Sequence, residues 1–292
     1  MRRRTTEDRV VDTVNYILLA IIALVTLYPF YYVLLASFNE GADTAKGGMY
    51  LWPRAFTLEN YKYFLSDPKW VNAFGITVLR TVVGTFLSVI FTSLVSYGLA
   101  KQDLVLRKLY FVLVIIAMNV SGGLIAYYVV LRGVGLLNNF GVYVIPTMLN
   151  LFFVMIAVSF FKEIPAELGE SARIDGAGEL HIFARIILPV SLPLMATMCL
   201  FSGANQWNSW LDAAYYVRDD SLRTLAFRMM EVMNQAMTPV DSLTAQFASK
   251  RTVTQFSIQA TAMVISVFPI ICVYPFLQKY FVKGMMLGSV KG

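Results

Sequence analysis

Six stretches of this chain are long and apolar enough to cross a lipid bilayer, and no other property restricts its possible folds so sharply. They run from Val14 to Phe38, Gly75 to Ala100, Leu109 to Leu131, Gly141 to Phe161, Val190 to Leu211 and Phe256 to Phe281. Crossing the hydrocarbon layer takes about 20 mostly apolar residues per helix. No water is available there to satisfy a backbone N–H or C=O, so each stretch must satisfy its own by forming a helix. A composition of 58% hydrophobic and 14% charged residues agrees. The sequence therefore predicts an all-α polytopic membrane protein with six transmembrane helices. The first stretch follows Arg2, Arg3 and Arg4 as a signal peptide would, but it exceeds the usual apolar core of about 7–15 residues. Leu35-Ala36-Ser37-Phe38 is also a poor cleavage site, so this stretch is expected to stay as an anchor.

The net charge of +6 comes from cations placed beside the apolar stretches, a pattern of membrane orientation and not of nucleic-acid binding. With the N-terminus inside, thirteen Lys and Arg residues fall in the cytoplasm and ten outside, and Arg80 lies within a span. Short loops are the most informative: Lys101, Arg107 and Lys108 share one, whereas the next holds only Arg132. Both termini and the polar loop after the fourth stretch are thus expected in the cytoplasm. Arg80, near one end of the second stretch, is expected to snorkel to the surface. The chain has no G-x-x-x-x-G-K-[ST], H-E-x-x-H or G-x-S-x-G run, and its only histidine is His181. Cys199 and Cys272 lie in apolar stretches and read as packing residues. No catalytic residue, metal site or cofactor site is expected in this chain.

The polar loop itself, Glu170 to Pro193, reads ESARIDGAGELHIFARIILPVSLP. Ala166 to Ile174 suits a helix that stops at Asp175-Gly176, where glycine accepts the positive φ of a helix C-terminus. Glu179 to Leu188 can start a second short helix before Pro189. The product is a helix-turn-helix elbow, kept slim at its bend by Ala172, Gly176 and Ala177.

These residues resemble the EAA loop of the permeases of bacterial ABC importers, in which Glu-Ala-Ala precedes Asp-Gly and, nine residues later, Ile-x-Leu-Pro. Glu170-Ser171-Ala172, Asp175-Gly176 and Ile186-Ile187-Leu188-Pro189 fall in that register, with Ser171 in place of the usual alanine. The resemblance covers nearly the whole chain and points to the maltose-type carbohydrate family. It implies a type I ABC-importer (MetI-like) fold in a bacterial cytoplasmic membrane. Residues 1–72 would form an added N-terminal segment, 73–281 the transport domain with its coupling loop at 162–190, and 282–292 a cytoplasmic tail. Implied partners are a homologous second permease, an ATPase dimer carrying ATP and Mg, an extracytoplasmic solute-binding protein and a carbohydrate, of the oligosaccharide class by the tail's likeness. Glu170, Ser171, Ala172, Asp175, Gly176 and Ala177 would contact the ATPase, and Leu188-Pro189 would pass the movement to the fifth span.

A charged group at a helix centre costs about 2.5–3.5 kcal/mol on insertion scales, and polar groups there need a reason. Asn119, Ser121, Gly122 and Gly123 interrupt the third stretch, to line a pathway or to permit a bend. Asn205-Gln206-Trp207-Asn208 near the end of the fifth combines amides that match sugar hydroxyls with an aromatic face that suits a pyranose ring. An interfacial aromatic belt would look the same. Outside, Thr57 to Tyr61 resembles a recurring motif of sugar permeases and also reads as a Thr-capped helix. The segment Asp212 to Thr254 is long enough to fold against a partner. Import of a non-sugar solute, a passive channel or scaffold, and a membrane-embedded glycan enzyme remain open from the residues alone.

Overall fold

The computed structural model describes residues 6–236 and 252–289, and every regular element among them is helical. Two compact units are formed, one from the described residues of 1–68 and 231–268, the other from those of 69–230 and 269–292.

The first unit opens with α1, Thr6–Ser37. None of its most apolar window is buried, and Leu18, Leu24 and Phe30 are exposed on different faces. A helix apolar on all sides is suited to lipid. At its end Leu35, Ala36, Met49 and Ala260 form a small core. The outer segment that follows is organised by two buried amides. Asn39 accepts from the Ala55 N–H at 2.8 Å and donates to Thr44 Oγ1 at 2.8 Å and Asp43 Oδ2 at 3.1 Å. Asn60 donates to the carbonyls of Ser37 at 3.0 Å and Asn39 at 2.9 Å. Asn60 lies in α3 (Glu59–Ser66), while α2 (Gly41–Ala45) carries Asp43 and Thr44. A helix does start in the Thr57 to Tyr61 run, at Glu59, but its cap position is held by Leu58; one residue further out, Thr57 Oγ1 accepts from the Glu59 N–H at 3.1 Å.

In the second unit, α4 (Pro68–Ala100) is inside out by the standard of a soluble helix. Thr77, Arg80, Gly84, Ser88, Thr92 and Ser96 are buried at intervals of three or four, whereas Leu79, Val82, Phe86 and Phe91 are exposed. Lipid accepts the apolar face, and small residues let neighbouring backbones approach the other.

Several predicted spans are differently built. Among the described residues three helices are continuous and apolar enough to cross a membrane, within α1, α4 and α15 (Gln255–Ser289). The third stretch is broken into α5 (Arg107–Asn119) and α6 (Gly123–Gly133), which meet at 116°. Gly123, at φ +71°, takes a conformation that side chains resist, so the bend reading of Ser121-Gly122-Gly123 fits. In the fourth, α7 (Gly141–Val144) ends before Pro146, and α8 (Leu151–Lys162) starts anew where the Asn150 side chain accepts from the Phe153 N–H. The fifth is α12 (Leu192–Asn208), after which come α13 (Leu211–Tyr216) and α14 (Leu225–Ala236). α15 runs on through most of the expected tail to Ser289. Residues 237–251 of the second outer segment, and Val290, Lys291 and Gly292, lie outside the described residues.

Candidate functional site

The elbow is built by local rules. α9 (Glu167–Ile174) ends with the Gly176 N–H donating to Arg173 O at 3.0 Å and the Ala177 N–H donating to Ala172 O at 2.9 Å. That nested pair is a Schellman turn, and it requires the left-handed residue between its arms, here Gly176 at φ +82°. The apolar pair that closes such a turn is Ala172 and Ala177, both packed against the core below. α10 (Glu179–Ile182) then leads into a π-helical stretch, Phe183–Ile187, and α11 (Leu188–Val190). Pro189 has no N–H to offer the carbonyl four residues earlier, and wider i→i+5 winding is one way to accommodate such a gap. The run Glu179–Val190 meets α12 at 84°.

The inner face of the elbow is embedded. Ile182, Phe183 and Ile187 are buried with Phe153, Ala157 and Phe161 of α8 and Leu194, Met195 and Met198 of α12. Its outer face is bare: Ile174 is 87% exposed and Leu180 70%. Glu179 ties the elbow to the end of α4. It accepts from Tyr97 Oη at 2.8 Å, from Lys101 Nζ, and from Arg173 at 3.0 Å. The Lys101 hydrogen bond, opposed by partial burial and helped by Tyr97, holds this carboxylate down to about 2. A shallow recess beside the turn is lined by Ala172, Asp175, Gly176, Ala177, His181 and Ile186.

A second feature is a cavity of about 600 Å³ between α4, α5, α8 and α12. Ser88, Thr147, Asn150, Ser202, Asn205 and Gln206 give it polar groups, and Met118, Phe152, Phe153 and Phe201 give it apolar surface. Behind Gln206 stands Arg80, 1% exposed, donating to Gln206 Oε1 at 2.9 and 3.1 Å, to Ser209 O at 3.2 Å and to Asp212 Oδ2 at 2.6 Å. Its guanidinium also lies 4.4 Å from the centre of the Tyr143 ring. The expectation that Arg80 snorkels is thereby corrected: a carboxylate, an amide and a carbonyl inside the bundle satisfy its donors, so it turns inward.

The candidate residues separate accordingly. Glu170, Ser171, Asp175 and Gly176 are exposed on one side of the elbow, Ala172 and Ala177 are half-buried beneath it, and Leu188 packs on the core beside the exposed Pro189. Asn205 and Gln206 line the cavity. Asn119 donates to Ile115 O and Asn208 to Ala204 O, each within its own helix. Trp207 is 8% exposed and meets Phe74 edge to face, so its ring is packed in protein and not presented to the cavity. Sequence reasoning missed Glu179 as a hub because its partners come from α4, the residue after it and α9, with no mark in the local pattern.

Comparison with known proteins places this architecture. The family of binding-protein-dependent transport system inner membrane components matches residues 90–287. The protein LplC of Bacillus subtilis strain 168 is 38% identical over 289 residues, covering 99% of this chain and 97% of LplC. The polygalacturonan/rhamnogalacturonan transport system permease protein YtcP of the same organism is 34% identical, covering 98% of this chain and all of YtcP. Among solved structures, a chain of a bacterial ABC transporter involved in the import of the acidic polysaccharide alginate superposes with a TM-score of 0.87 at 28% identity, covering 96% of this chain and all of that one. With its described elements all helical, several of them apolar, and with these relatives along nearly its full length, the chain belongs to the inner-membrane permeases of binding-protein-dependent ABC importers.

Proposed function

We propose that this chain is one permease subunit of an ATP-driven importer of sugars, oligosaccharides in particular, and that the elbow is where ATP-derived force enters it. The elbow's geometry carries the reading. A rigid Schellman turn offers exposed Ile174 and Leu180 on one side, while Ile182, Phe183 and Ile187 are locked into α8 and α12 on the other. A push on the outer face is therefore delivered to the helices that wall the cavity. Glu170, Ser171, Asp175 and Gly176 meet the ATPase in this scheme, with Ala172, Ala177, Leu188 and Pro189 transmitting. The energy source is ATP with Mg held by the ATPase pair, since the chain lacks a phosphate-binding loop of its own. Both termini and the elbow face the cytoplasm, and a homologous second permease completes the pathway. A solute-binding protein delivers the cargo from outside. The carbohydrate assignment is supported by the relatives named for polygalacturonan and rhamnogalacturonan transport and for alginate import. The polar and aromatic lining of the cavity suits hydroxyl-rich solutes.

Affinity purification of the tagged chain from its native membrane tests the assembly. A second permease and an ATPase are expected to come with it, and a chain that purifies alone while still supporting uptake contradicts the proposal. A screen of the cognate binding protein against oligosaccharides, amino acids and phosphate tests the cargo, with tight binding of a non-sugar as the opposing result.

A further inference from the structure

The arrangement around Arg80 is more elaborate than charge burial requires. Gln206 lines the cavity, yet every hydrogen-bonding position of its amide is taken by protein, and one of those partners, Thr147, lines the cavity with it. Its oxygen accepts twice from Arg80, and its nitrogen donates to Tyr143 O at 3.2 Å and to Thr147 Oγ1 at 2.7 Å. The space for it is cleared by Gly84: a Cβ there would lie 2.6 Å from Gln206 Nε2 and 2.8 Å from its Cδ. Asp212 and the Ser209 carbonyl occupy the remaining face of the guanidinium, and the Tyr143 ring covers it. The cation thus stands directly behind the wall with its charge matched, and among the described residues no charged side chain lines the cavity. Asn205, beside Gln206 on the same wall, has no such clamp among the described residues.

We infer that Arg80 is a positioning residue of the solute path. It acts through Gln206, fixing that amide as a saturated, immobile part of the wall. Asn205 is left as an amide whose donors and acceptor can all exchange with solute hydroxyls, whereas Asn150 on the same cavity spends its oxygen on the Phe153 N–H. Gly84 and Asp212 belong to the same device, one making room for Gln206 and the other cancelling the charge of Arg80. Loss of the clamp lets the Gln206 side chain swing into the cavity and compete with the solute for that space and for Asn205.

This inference rests on the proposed reading of the chain as a sugar permease, and the test keeps the two apart. The complete transporter, with both permeases, ATPase and binding protein, is reconstituted in proteoliposomes, and labelled oligosaccharide moved is measured against ATP hydrolysed. Failure of the wild-type transporter to move any oligosaccharide sinks the functional reading. Given wild-type transport, Gly84→Ala displaces Gln206 while both charges stay in place. The double variant Arg80→Gln with Asp212→Asn removes the clamp without leaving an orphan charge. Each is expected to lower solute moved per ATP by roughly tenfold, the scale on which one charge-assisted hydrogen bond alters a rate. Arg80→Lys, which keeps one donor to Gln206, is expected to recover part of that ratio. An unchanged ratio in Gly84→Ala and in the double variant overturns the inference. So does a parallel loss of transport and hydrolysis at constant ratio, which is what a merely structural role produces. If the double variant does not assemble, Gly84→Ala decides alone.

Discussion

Replacing Glu179 with glutamine should loosen the elbow without unfolding the chain. The carboxylate joins three donors: the Tyr97 hydroxyl and Lys101 on α4 and the segment after it, and Arg173 at the end of α9. Glutamine keeps the shape but removes the charge that draws two cations together. The side chains of Glu179 and Arg173 are about half exposed, at 50% and 49%, so solvent screens that pair and it contributes little. Lys101 is better shielded at 21%. The Tyr97 and Lys101 ties together are worth about 1 kcal/mol to the closed elbow, a factor of about five in its opening equilibrium. Hydrogen exchange of the amides from 176 to 190 in the detergent-solubilised complex should therefore accelerate about fivefold in Glu179→Gln, with α4 and α12 unaffected. Because exposed charges are screened, the difference should shrink in 1 M salt, where the Debye length is about 3 Å. The pH dependence has a definite sign. A carboxylate held down to about 2 contributes fully above its ordinary value near 4.5 and loses that contribution as pH falls through about 2. Wild type and variant should thus differ by a constant amount from pH 6 to 8 and converge on acidification. Identical exchange in both proteins at low salt refutes the reasoning, as does acceleration spread evenly along the chain.

Three further substitutions probe separate parts of the account. Ile182→Ala removes a side chain only 1% exposed at the junction of elbow, α8 and α12, and should cost about 2–5 kcal/mol, read as a lowered Tm with reduced uptake. Asn60→Ala deletes the donor to two buried carbonyls in the outer segment; about 1–3 kcal/mol is expected, seen as faster proteolysis between residues 38 and 60, and full resistance there contradicts the structural role of Asn60. Arg80→Met leaves Asp212 without its buried cation and should destabilise by about 3–5 kcal/mol, whereas adding Asp212→Asn should return a large part of the loss in Tm.

What the residues disclosed in advance was whatever depends on local pattern. The elbow's turn was readable because Gly176 is the residue a left-handed helix end requires, and α9 begins within one residue of the expected Ala166. The lipid-exposed helices were readable because bilayer thickness sets their length. The 116° break between α5 and α6 was signalled only by Asn119 and Ser121-Gly122-Gly123, which fit lining and bending equally well. Long-range pairings left no local trace. Arg80 meets Gln206 and Asp212, 126 and 132 residues away, so its inward turn could not be separated from snorkelling by position in the span. Trp207 likewise read as a sugar platform by residue type, and its packing on Phe74 depends on which face of α12 meets α4. Fold class follows from hydropathy, whereas the roles of polar residues inside the bundle depend on partners that only the folded chain supplies.

The central claim is that ATP-driven import reaches this subunit through the elbow, and ATP-dependent uptake of labelled oligosaccharide by the reconstituted transporter tests it most directly. Gly176→Val places a β-branched side chain at φ +82°, a conformation such residues resist, and so distorts the turn that presents Ile174 and Leu180. The account predicts that uptake falls to background in this variant while solute-loaded binding protein still docks. Undiminished ATP-driven uptake with the turn disrupted would contradict it.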